Sequence, residues 1–491
     1  MNKKLIGIDV GASGGKMAWG EFDGIKMNVI EYINFANRPV DIGSALYWDV
    51  FSIYNSIIDG ITYFNAKYGE ADTVAIDTWG ASFGLLDVQG RLLEPVYHYR
   101  DRRTEKTIND MESVMSAYEL FQLTGCQCNR TYTLPQLFSY KTSNEKVLDN
   151  AENMLLLPDL LSYFLTGVKS TEQTIAGTSC MMESSQEEWS SEVIERISIP
   201  SRNFTDITAP GTYKGPLADR LKMLTGMKTT KVVATVGHDS ASAVAAIPNF
   251  GEGQLYISIG TNISIGIESS RCILTKEAYE EGFKNTAGID KSKIIYRDFS
   301  ASWHINEFIR SKNDLGIKYN HRQLIELAKQ ANKGVPWFDV EAQEFNNAGG
   351  DFCDKMNAYF RRTRQRELHE DKDFIRSIYE SIALKVQHYA LAYDKLNVSI
   401  EKISVISGAV RNELLMQLIC NFLNRDICAG MEYATLNGNL LTQLYAEGEV
   451  GTVTEMRSLA DKTFVMKEYR PESQRFWREA VSKYEDIMTE V

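Results

Sequence analysis

The sequence is short of the residues that would mark several common classes of protein. It has no apolar run of about 18 residues, so no membrane-spanning helix is expected. Lys3 and Lys4 near the start are followed by only a brief apolar stretch before Asp9 interrupts it, so a secretory leader is not expected either. Its seven cysteines are odd in number and scattered, which argues against a disulfide framework and for reduced thiols in a cytoplasmic protein. Cys126 and Cys128 form a lone Cys-x-Cys without a second pair or a histidine at zinc spacing, and read as ordinary thiols near a loop. Positive charge is also scarce. Fifty-three Lys and Arg against 65 Asp and Glu leave a formal net charge of −12. Nucleic acid and anionic membrane surfaces, which reward basic patches, are therefore poor candidates as partners. An anionic nucleotide is not excluded, because a few backbone N–H groups and a metal ion suffice to hold one.

Low-complexity segments are absent, and with 44% apolar and 24% charged residues the chain has the balance of a soluble globular protein. At 491 residues it exceeds what one core serves, so two domains of roughly 200 to 250 residues are expected. The first stretch reads strand, glycine turn, strand: Leu5-Ile6-Gly7-Ile8, Gly11 to Gly15, then Lys16-Met17-Ala18-Trp19. The outline returns at Leu255-Tyr256-Ile257-Ser258-Ile259, Gly260-Thr261-Asn262 and Ile263 to Ile267. This is a degenerate internal repeat and puts a boundary near residues 243–252. Further strands are expected at Thr73–Ile76, Phe83–Leu86, Lys231–Val236 and Ile403–Ile406, and a long helix from Asp373 to Leu396.

Four short segments carry residues suited to chemistry, and each also has a purely structural account. In Asp9-x-Gly11-Ala12-Ser13-Gly14-Gly15-Lys16 the glycines can bring bare N–H groups against phosphate oxygens. Asp9 at the strand end can hold hydrated Mg²⁺, and Lys16 can add a point charge. The segment is not a Walker A loop, since Met17 follows the lysine, and an ordinary glycine-rich hairpin accounts for it as well. Gly260-Thr261 is the matching turn of the repeat, or a plain hairpin. In Gly237-His238-Asp239-Ser240, Asp239 can accept a proton from an attacking hydroxyl, or merely cap the following helix. Ser407-Gly408-Ala409-Val410-Arg411-Asn412 is a candidate nucleotide-side loop, or a structural strand-to-helix turn.

Taken in order, Asp9-x-Gly-Ala-Ser-Gly-Gly-Lys16, Asp77-Thr78-Trp79-Gly80, Tyr99-Arg100-Asp101-Arg102-Arg103-Thr104, Leu157-Pro158-Asp159, Gly237-His238-Asp239-Ser240-Ala241-Ser242-Ala243-Val244, Gly260-Thr261 and Gly408-x-x-x-Asn412 resemble the FGGY carbohydrate kinases over residues 4 to about 450. The resemblance implies an α/β fold of two actin-like, ribonuclease H-type domains with sugar and ATP meeting in an interdomain cleft. It implies an N-terminal FGGY domain over 1–245, a C-terminal FGGY domain over 246–465 and a closing helix over 466–491. The implied activity is ATP- and Mg²⁺-dependent phosphorylation of a ketose, foremost L-rhamnulose at its C1 hydroxyl. L-fuculose, xylulose and ribulose are the alternatives, with a non-catalytic sugar or nucleotide sensor on the same scaffold behind them. The implied partners are the ketose and ATP, with no nucleic acid or membrane, in a monomer or homodimer.

Position by position, the resemblance implies Ala12, Ser13, Gly14, Gly15 and Lys16 along the ATP phosphates and Asp9 at Mg²⁺ through water. It implies Gly80, His238, Asp239 and Ser240 at the sugar, with Asp239 the proton acceptor. Thr261 is implied at phosphate and Gly408 at adenosine. Asp298 is a further implied sugar contact and Asn306 a further ATP contact, where the family carries Asn and Gln. Members acting on L-rhamnulose usually follow Trp-Gly with Val-Asp-Phe, where this chain has Ala81-Ser82-Phe83. A usual Gly-Gly-Gly is Ser407-Gly408-Ala409, the usual Ser-Gly-Thr-Trp is Ile259-Gly260-Thr261-Asn262, and His-Asp-Thr is His238-Asp239-Ser240. One missing hydrogen-bonding group at the sugar can shift selectivity by orders of magnitude.

Overall fold

The computed structural model describes residues 2–143, 145–260, 262–300, 302–345, 349–396 and 398–489. The chain forms two compact units that interleave along the sequence. The first comprises residues 1–252, 268–295 and 433–464; the second comprises 253–267, 296–432 and 465–491. All seven cysteines are free, and no described helix is long and apolar enough to cross a membrane.

The first unit is built on a six-stranded sheet. Its strands are β1 (Lys3–Gly11), β2 (Gly14–Phe22), β3 (Met27–Phe35), β4 (Thr73–Thr78), β5 (Thr212–Pro216) and β6 (Lys231–Ala234), in spatial order β5-β6-β4-β1-β2-β3. β1 pairs antiparallel with β2 and parallel with β4; β4 pairs parallel with β6, and β6 antiparallel with β5. The central strand β4 is buried at every residue, as a sheet covered on both faces requires. One covering element is helix α1 (Val50–Tyr68), which turns Ile53, Ile57, Ile61 and Phe64 inward at helical spacing. It begins at Asp49, whose carboxylate accepts from the Ser52 N–H, and ends at Gly69 with φ of 84°.

The second unit repeats the plan. Gln254–Ile259 pairs antiparallel with Ile263–Ser269 and parallel with Lys402–Ile406. Lys402–Ile406 pairs parallel with Ile427–Gly430, which pairs antiparallel with Met466–Tyr469. The sequence of pairings, antiparallel, parallel, parallel, antiparallel, matches that running from β2 through β1, β4 and β6 to β5. The repeat expected from two hairpins thus extends over five strands of each sheet. The long helix of this unit, Asp371–Lys395, lies over most of the span that its apolar periodicity predicts.

Two helices position the site. α2 (Asp239–Ala245) consists largely of Ala and Ser, and α3 (Ala434–Ala446) is buried along most of its length. They pack so closely that a Cβ on Gly438 would fall 1.9 Å from the Ser242 carbonyl oxygen, and the Ser242 hydroxyl donates to the Thr435 carbonyl at 2.9 Å. Gly438→Ala forces two backbones apart and is expected to cost about 1–3 kcal/mol, read as a lowered urea midpoint.

His304 gives the second unit a pH-dependent stability. It is fully buried among the rings of Phe338, Phe345 and Phe352. With Nε2–H donating to the Val340 carbonyl at 2.8 Å, Nδ1 has no partner among the described residues, and a second proton there would find no acceptor among them. Burial accordingly pushes the imidazole down from 6.5 to about 4. The unfolded chain then binds more protons than the folded one between these values. The contribution is complete above pH 6.5 and is lost as pH falls towards 4. Between pH 7 and 5 the wild type should lose about 2 kcal/mol relative to His304→Phe, measured by urea unfolding at both pH values. Buried carboxyl groups that respond in the opposite sense are common to both proteins and cancel in the comparison.

Candidate active site

Three carboxylates gather at the C-terminal ends of the three adjacent parallel strands of the first unit, where ligands of open α/β sheets bind. β1 and β4 run in register with Asp9 beside Asp77. Beyond β6, His238 bridges to Thr78 and the Thr78 N–H donates to the Gly237 carbonyl at 3.0 Å. This sets Asp239 next to the end of β4. On the other side of β1, Lys16 of β2 is the register partner of Asp9.

The electrostatics follow from this crowding. Burial first, then the Asp239 charge, pushes Asp9 up to about 7, while the Lys16 ammonium pulls it down. Asp77 is raised well above the usual carboxylate range by burial and by Asp9, with Asp239 adding to it; the hydrogen bond from Asn439 acts the other way. Asp77 is fully buried. Its Oδ2 accepts from Asn439 Nδ2 at 2.6 Å, and its Oδ1 has no hydrogen-bond partner among the described residues.

Asn439 belongs to a polar spine that α3 lays against the strands. Its Nδ2 also reaches the Ala75 carbonyl at 3.3 Å, and its Oδ1 accepts from Gln443 Nε2 at 2.8 Å. Gln443 donates in addition to the Ile6 carbonyl at 3.1 Å and accepts from the Thr73 hydroxyl at 2.6 Å. Every link fixes which end of each amide carries the NH₂, so the donor that meets Asp77 is set by the whole chain. The sequence motifs include Asp77 only within Asp77-Thr78-Trp79-Gly80 and do not include Asn439 or Gln443. The available signal is the spacing of Asn439 and Gln443, four residues apart and so on one helix face.

Asp239 opens α2 as its first residue, with His238 in the capping position and no side-chain cap. The capping account of Asp239 is therefore not realised. Its Oδ1 accepts from the Ser240 N–H at 2.6 Å and the Ser240 hydroxyl at 3.1 Å, and lies 3.4 Å from His238 Nε2. Its Oδ2 makes no hydrogen bond to the described residues, and 31% of the side chain is exposed. His238, Asp239 and Ser240 therefore stand together. The Ala12–Lys16 segment joins β1 to β2, with Ser13 exposed at the tip. Gly15 there has a packing reason of its own, since its Cβ would fall 1.9 Å from the Phe35 ring.

Gly80 starts a tightly held turn in the same unit, and a Cβ on it would meet the Thr178 side chain at 2.8 Å. Ala81 adopts φ of 71°, unusual for a residue with a side chain. Its N–H donates to the Thr178 hydroxyl at 3.3 Å. Its carbonyl accepts from Thr133 Oγ1 and Gln136 Nε2 at 3.1 and 3.0 Å. Arg103, stacked 3.6 Å from the Tyr97 ring centroid, holds Gln136 in turn at 3.1 Å. Ser82 points inward: it is buried and accepts from the indoles of Trp48 and Trp79 at 3.1 and 2.9 Å.

The remaining candidates lie in the second unit or outside the described residues. Asp298 is on the strand Lys293–Phe299; burial raises the nearby Tyr256 phenol, the Ser264 hydrogen bond acts the other way, and the Asp298 charge adds to the rise. Asn306 is exposed on the helix Trp303–Asp314. Gly408 opens a short 3₁₀ turn, with open space where a Cβ would stand. Thr261 falls outside the described residues. Ser407 has φ of 78°, and its hydroxyl pairs with that of Ser258 at 2.9 Å.

Mg²⁺, which FGGY kinases typically use with ATP, can be tested against these side chains. The donors in the first unit are hard carboxylate oxygens, one of them buried without a partner, which suits a hard divalent cation. Among the described residues no three or more His, Cys, Asp or Glu converge to enclose a metal. A cation here would rely on one or two carboxylates, water and phosphate oxygens, as Mg²⁺ commonly does.

Comparison with known proteins accords with this architecture. Residues 4–246 match the FGGY family of carbohydrate kinases, N-terminal domain, and residues 255–447 its C-terminal domain. Among curated proteins, the rhamnulokinase of Bacillus subtilis is 31% identical over 94% of this chain and 94% of its own length. That of Bacteroides thetaiotaomicron is 29% identical over 99% of this chain and 100% of its own. Among solved structures, a gluconate kinase from Lactobacillus acidophilus superposes with a TM-score of 0.84 at 14% identity, covering 100% of this chain and 98% of the other. The chain belongs to the FGGY family of carbohydrate kinases and has their two-domain actin-like α/β fold.

Proposed function

We propose that this sugar kinase transfers the γ-phosphoryl group of ATP to the C1 hydroxyl of L-rhamnulose, in the cytoplasm, with Asp239 as the general base. The observation that carries the base assignment is the division of labour on the Asp239 carboxylate. Ser240 fixes Oδ1, while Oδ2 is left without a partner among the described residues and can receive a proton. Phosphoryl transfer asks little more of the protein than an oriented nucleophile, a proton acceptor and charge compensation at the phosphates.

In this reading the ketose lies against Gly80, His238, Asp239 and Ser240, with Asp298 a further contact. Asp239 draws the C1 proton as the hydroxyl approaches the γ-phosphorus in line. His238, 3.4 Å from the base, orients rather than accepts. The backbone from Ala12 to Gly15 and the Lys16 ammonium follow the phosphates, with Thr261 and Asn306 assigned to ATP and Gly408 to adenosine. Asp9 would hold Mg²⁺ through water and Asp77 would border the same ion; when bound, the ion neutralises charge on the β and γ phosphates. Residues Asp9, Lys16 and Asp239 need no contribution from elsewhere to meet, since all three belong to one unit.

The choice of L-rhamnulose is supported by the several full-length relatives described as rhamnulokinases, at 26–31% identity. A second reading, a kinase for L-fuculose, xylulose or ribulose, is favoured by the Ala81-Ser82 replacement. The inward orientation of Ser82 weakens it, because that position is occupied with two indoles. ADP release measured across these ketoses with MgATP should give the highest kcat/KM for L-rhamnulose; a tenfold preference for another sugar overturns the substrate assignment. Asp239→Asn should lower kcat by about 10²–10⁴ while nucleotide binding persists, and near wild-type turnover would remove Asp239 as base.

A further inference from the structure

One buried acid has no part in the reaction as described. Glu172 is only 1% exposed, and its carboxylate gathers four donors. Oε1 accepts from the Thr174 N–H at 2.9 Å. Oε2 accepts from the Thr174 hydroxyl at 2.6 Å, the Ile175 N–H at 3.0 Å and the Gly237 N–H at 2.9 Å. The bonds to Thr174 and Ile175 N–H are those of a helix cap, for the short helix Gln173–Ala176. The bond to Gly237 is not. It reaches a residue 65 positions away, two before Asp239.

A second bond runs beside it. The Thr174 hydroxyl, having donated to Glu172, accepts from the His238 N–H at 3.2 Å. Two consecutive backbone donors, those of Gly237 and His238, are therefore held by one acid–hydroxyl pair. The same peptide is gripped from the other side, because the Gly237 carbonyl accepts from the Thr78 N–H. Glycine is required in this grip, since a Cβ at 237 would lie 2.7 Å from Glu172 Oε2 and 3.5 Å from both Pro158 and Ile175.

The pair is itself anchored. The Glu172 N–H donates to both carboxylate oxygens of Asp159 at 3.1 and 3.2 Å. Asp159, buried at the start of the helix Leu157–Thr166, forms a buried ion pair with Lys214 at 2.5 Å. The Lys214 ammonium also donates to the Ser170 carbonyl at 3.1 Å. Leu157-Pro158-Asp159 thus connects through Glu172 to the backbone that presents the base, with Lys214 holding Asp159.

We infer that Glu172 and Thr174 are positioning residues for phosphoryl transfer, acting on substrate only through the Gly237–His238 backbone that aims Asp239. The inference rests on the assignment of Asp239 as base. A base must lie within hydrogen-bond reach of the hydroxyl it serves, and small displacements of a reacting geometry cost far more rate than binding. A clamp on the two preceding peptides is suited to that demand. Glutamine cannot replace the acid fully: whichever end carries its NH₂ turns a donor toward at least one of the four donors now accepted.

The test is a double-mutant cycle on the full chain with L-rhamnulose, or the ketose that the substrate panel selects. Thr174→Val removes the hydroxyl at nearly constant volume and should lower kcat about tenfold, leaving KM for MgATP within twofold. Thr174→Ser keeps the hydroxyl and should recover at least half of the lost rate, although it too disturbs packing. Glu172→Gln should repeat the pattern of Thr174→Val and serves in its place if that variant does not fold. In the Asp239→Asn background, where no base remains to be aimed, Thr174→Val should change the residual single-turnover rate by less than twofold. The inference is overturned if Thr174→Val keeps wild-type kcat, if Thr174→Ser falls as far as Thr174→Val, or if the tenfold loss persists without Asp239. A silent Thr174→Val beside a crippled Asp239→Asn removes the clamp alone. Wild-type turnover of Asp239→Asn removes the base and, with it, the target of the clamp.

Discussion

Like charges at the ends of neighbouring parallel strands repel one another, and the first unit has three of them. The register of β1 against β4 puts Asp9 directly beside Asp77, and the bridge from Thr78 to His238 brings Asp239 to the same edge. Such a group can be stable only if burial, hydrogen bonds and counter-charge share out the cost. Much of the surrounding structure is legible as that sharing. Lys16 faces Asp9 from β2, Asn439 meets one oxygen of Asp77, and Ser240 meets one oxygen of Asp239. What is left over, a raised pair of acids and an oxygen without a donor, is an unsatisfied demand for positive charge. A hard cation escorted by phosphate would meet it.

Close backbone approach is what delivers these donors. Gly438 lets α3 lie against α2 with no side chain between them, and the next residue, Asn439, meets Asp77. Glu172 reaches the Gly237 N–H because Gly237 leaves its carboxylate room. Gly15, by contrast, is a glycine because the Phe35 ring covers it. Glycines in this unit therefore have distinct reasons, and only in some is the beneficiary a polar group near the carboxylates. A glycine-rich reading of the sequence treats them alike, and the structure separates them by what a Cβ would strike.

The parts that sequence reasoning reached are those whose cause is local. Apolar runs ending in Asp9 and at Gly237-His238-Asp239 announce strands that finish in polar chemistry. The paired hairpins announce a repeat, which the two sheets then share down to the order of parallel and antiparallel pairings. Glu172, Thr174, Asn439 and Gln443 are of another kind. Each acts across a separation that local pattern does not register: 65 residues from Glu172 to Gly237 and 362 from Asn439 to Asp77. The interleaving of the two units has the same origin, since residues 433–464 join the first unit through packing rather than through any linker or shift of composition. Ser82 is a subtler case. Comparison by position suggests a lost acid at the sugar, whereas the side chain is turned to the Trp48 and Trp79 indoles.

The departures at Ala81 and Ser407 put side chains where the backbone favours glycine, with φ of 71° and 78°. Conformations of this sort cost on the order of 1–3 kcal/mol each and persist only where neighbours over-determine them. Both are over-determined. Ala81 is bonded through its N–H and its carbonyl to Thr178, Thr133 and Gln136, with Arg103 fixing Gln136 in turn. Ser407 has its N–H on the Met431 carbonyl and its hydroxyl on Ser258. At Ala81 the bonds act through the residue's own backbone groups, so the turn's shape does not depend on its side chain, whereas at Ser407 the side-chain hydroxyl is itself one of the bonds. These two turns thus sit in a chain that carries Asp9, Asp77 and Asp239 at the ends of adjacent strands.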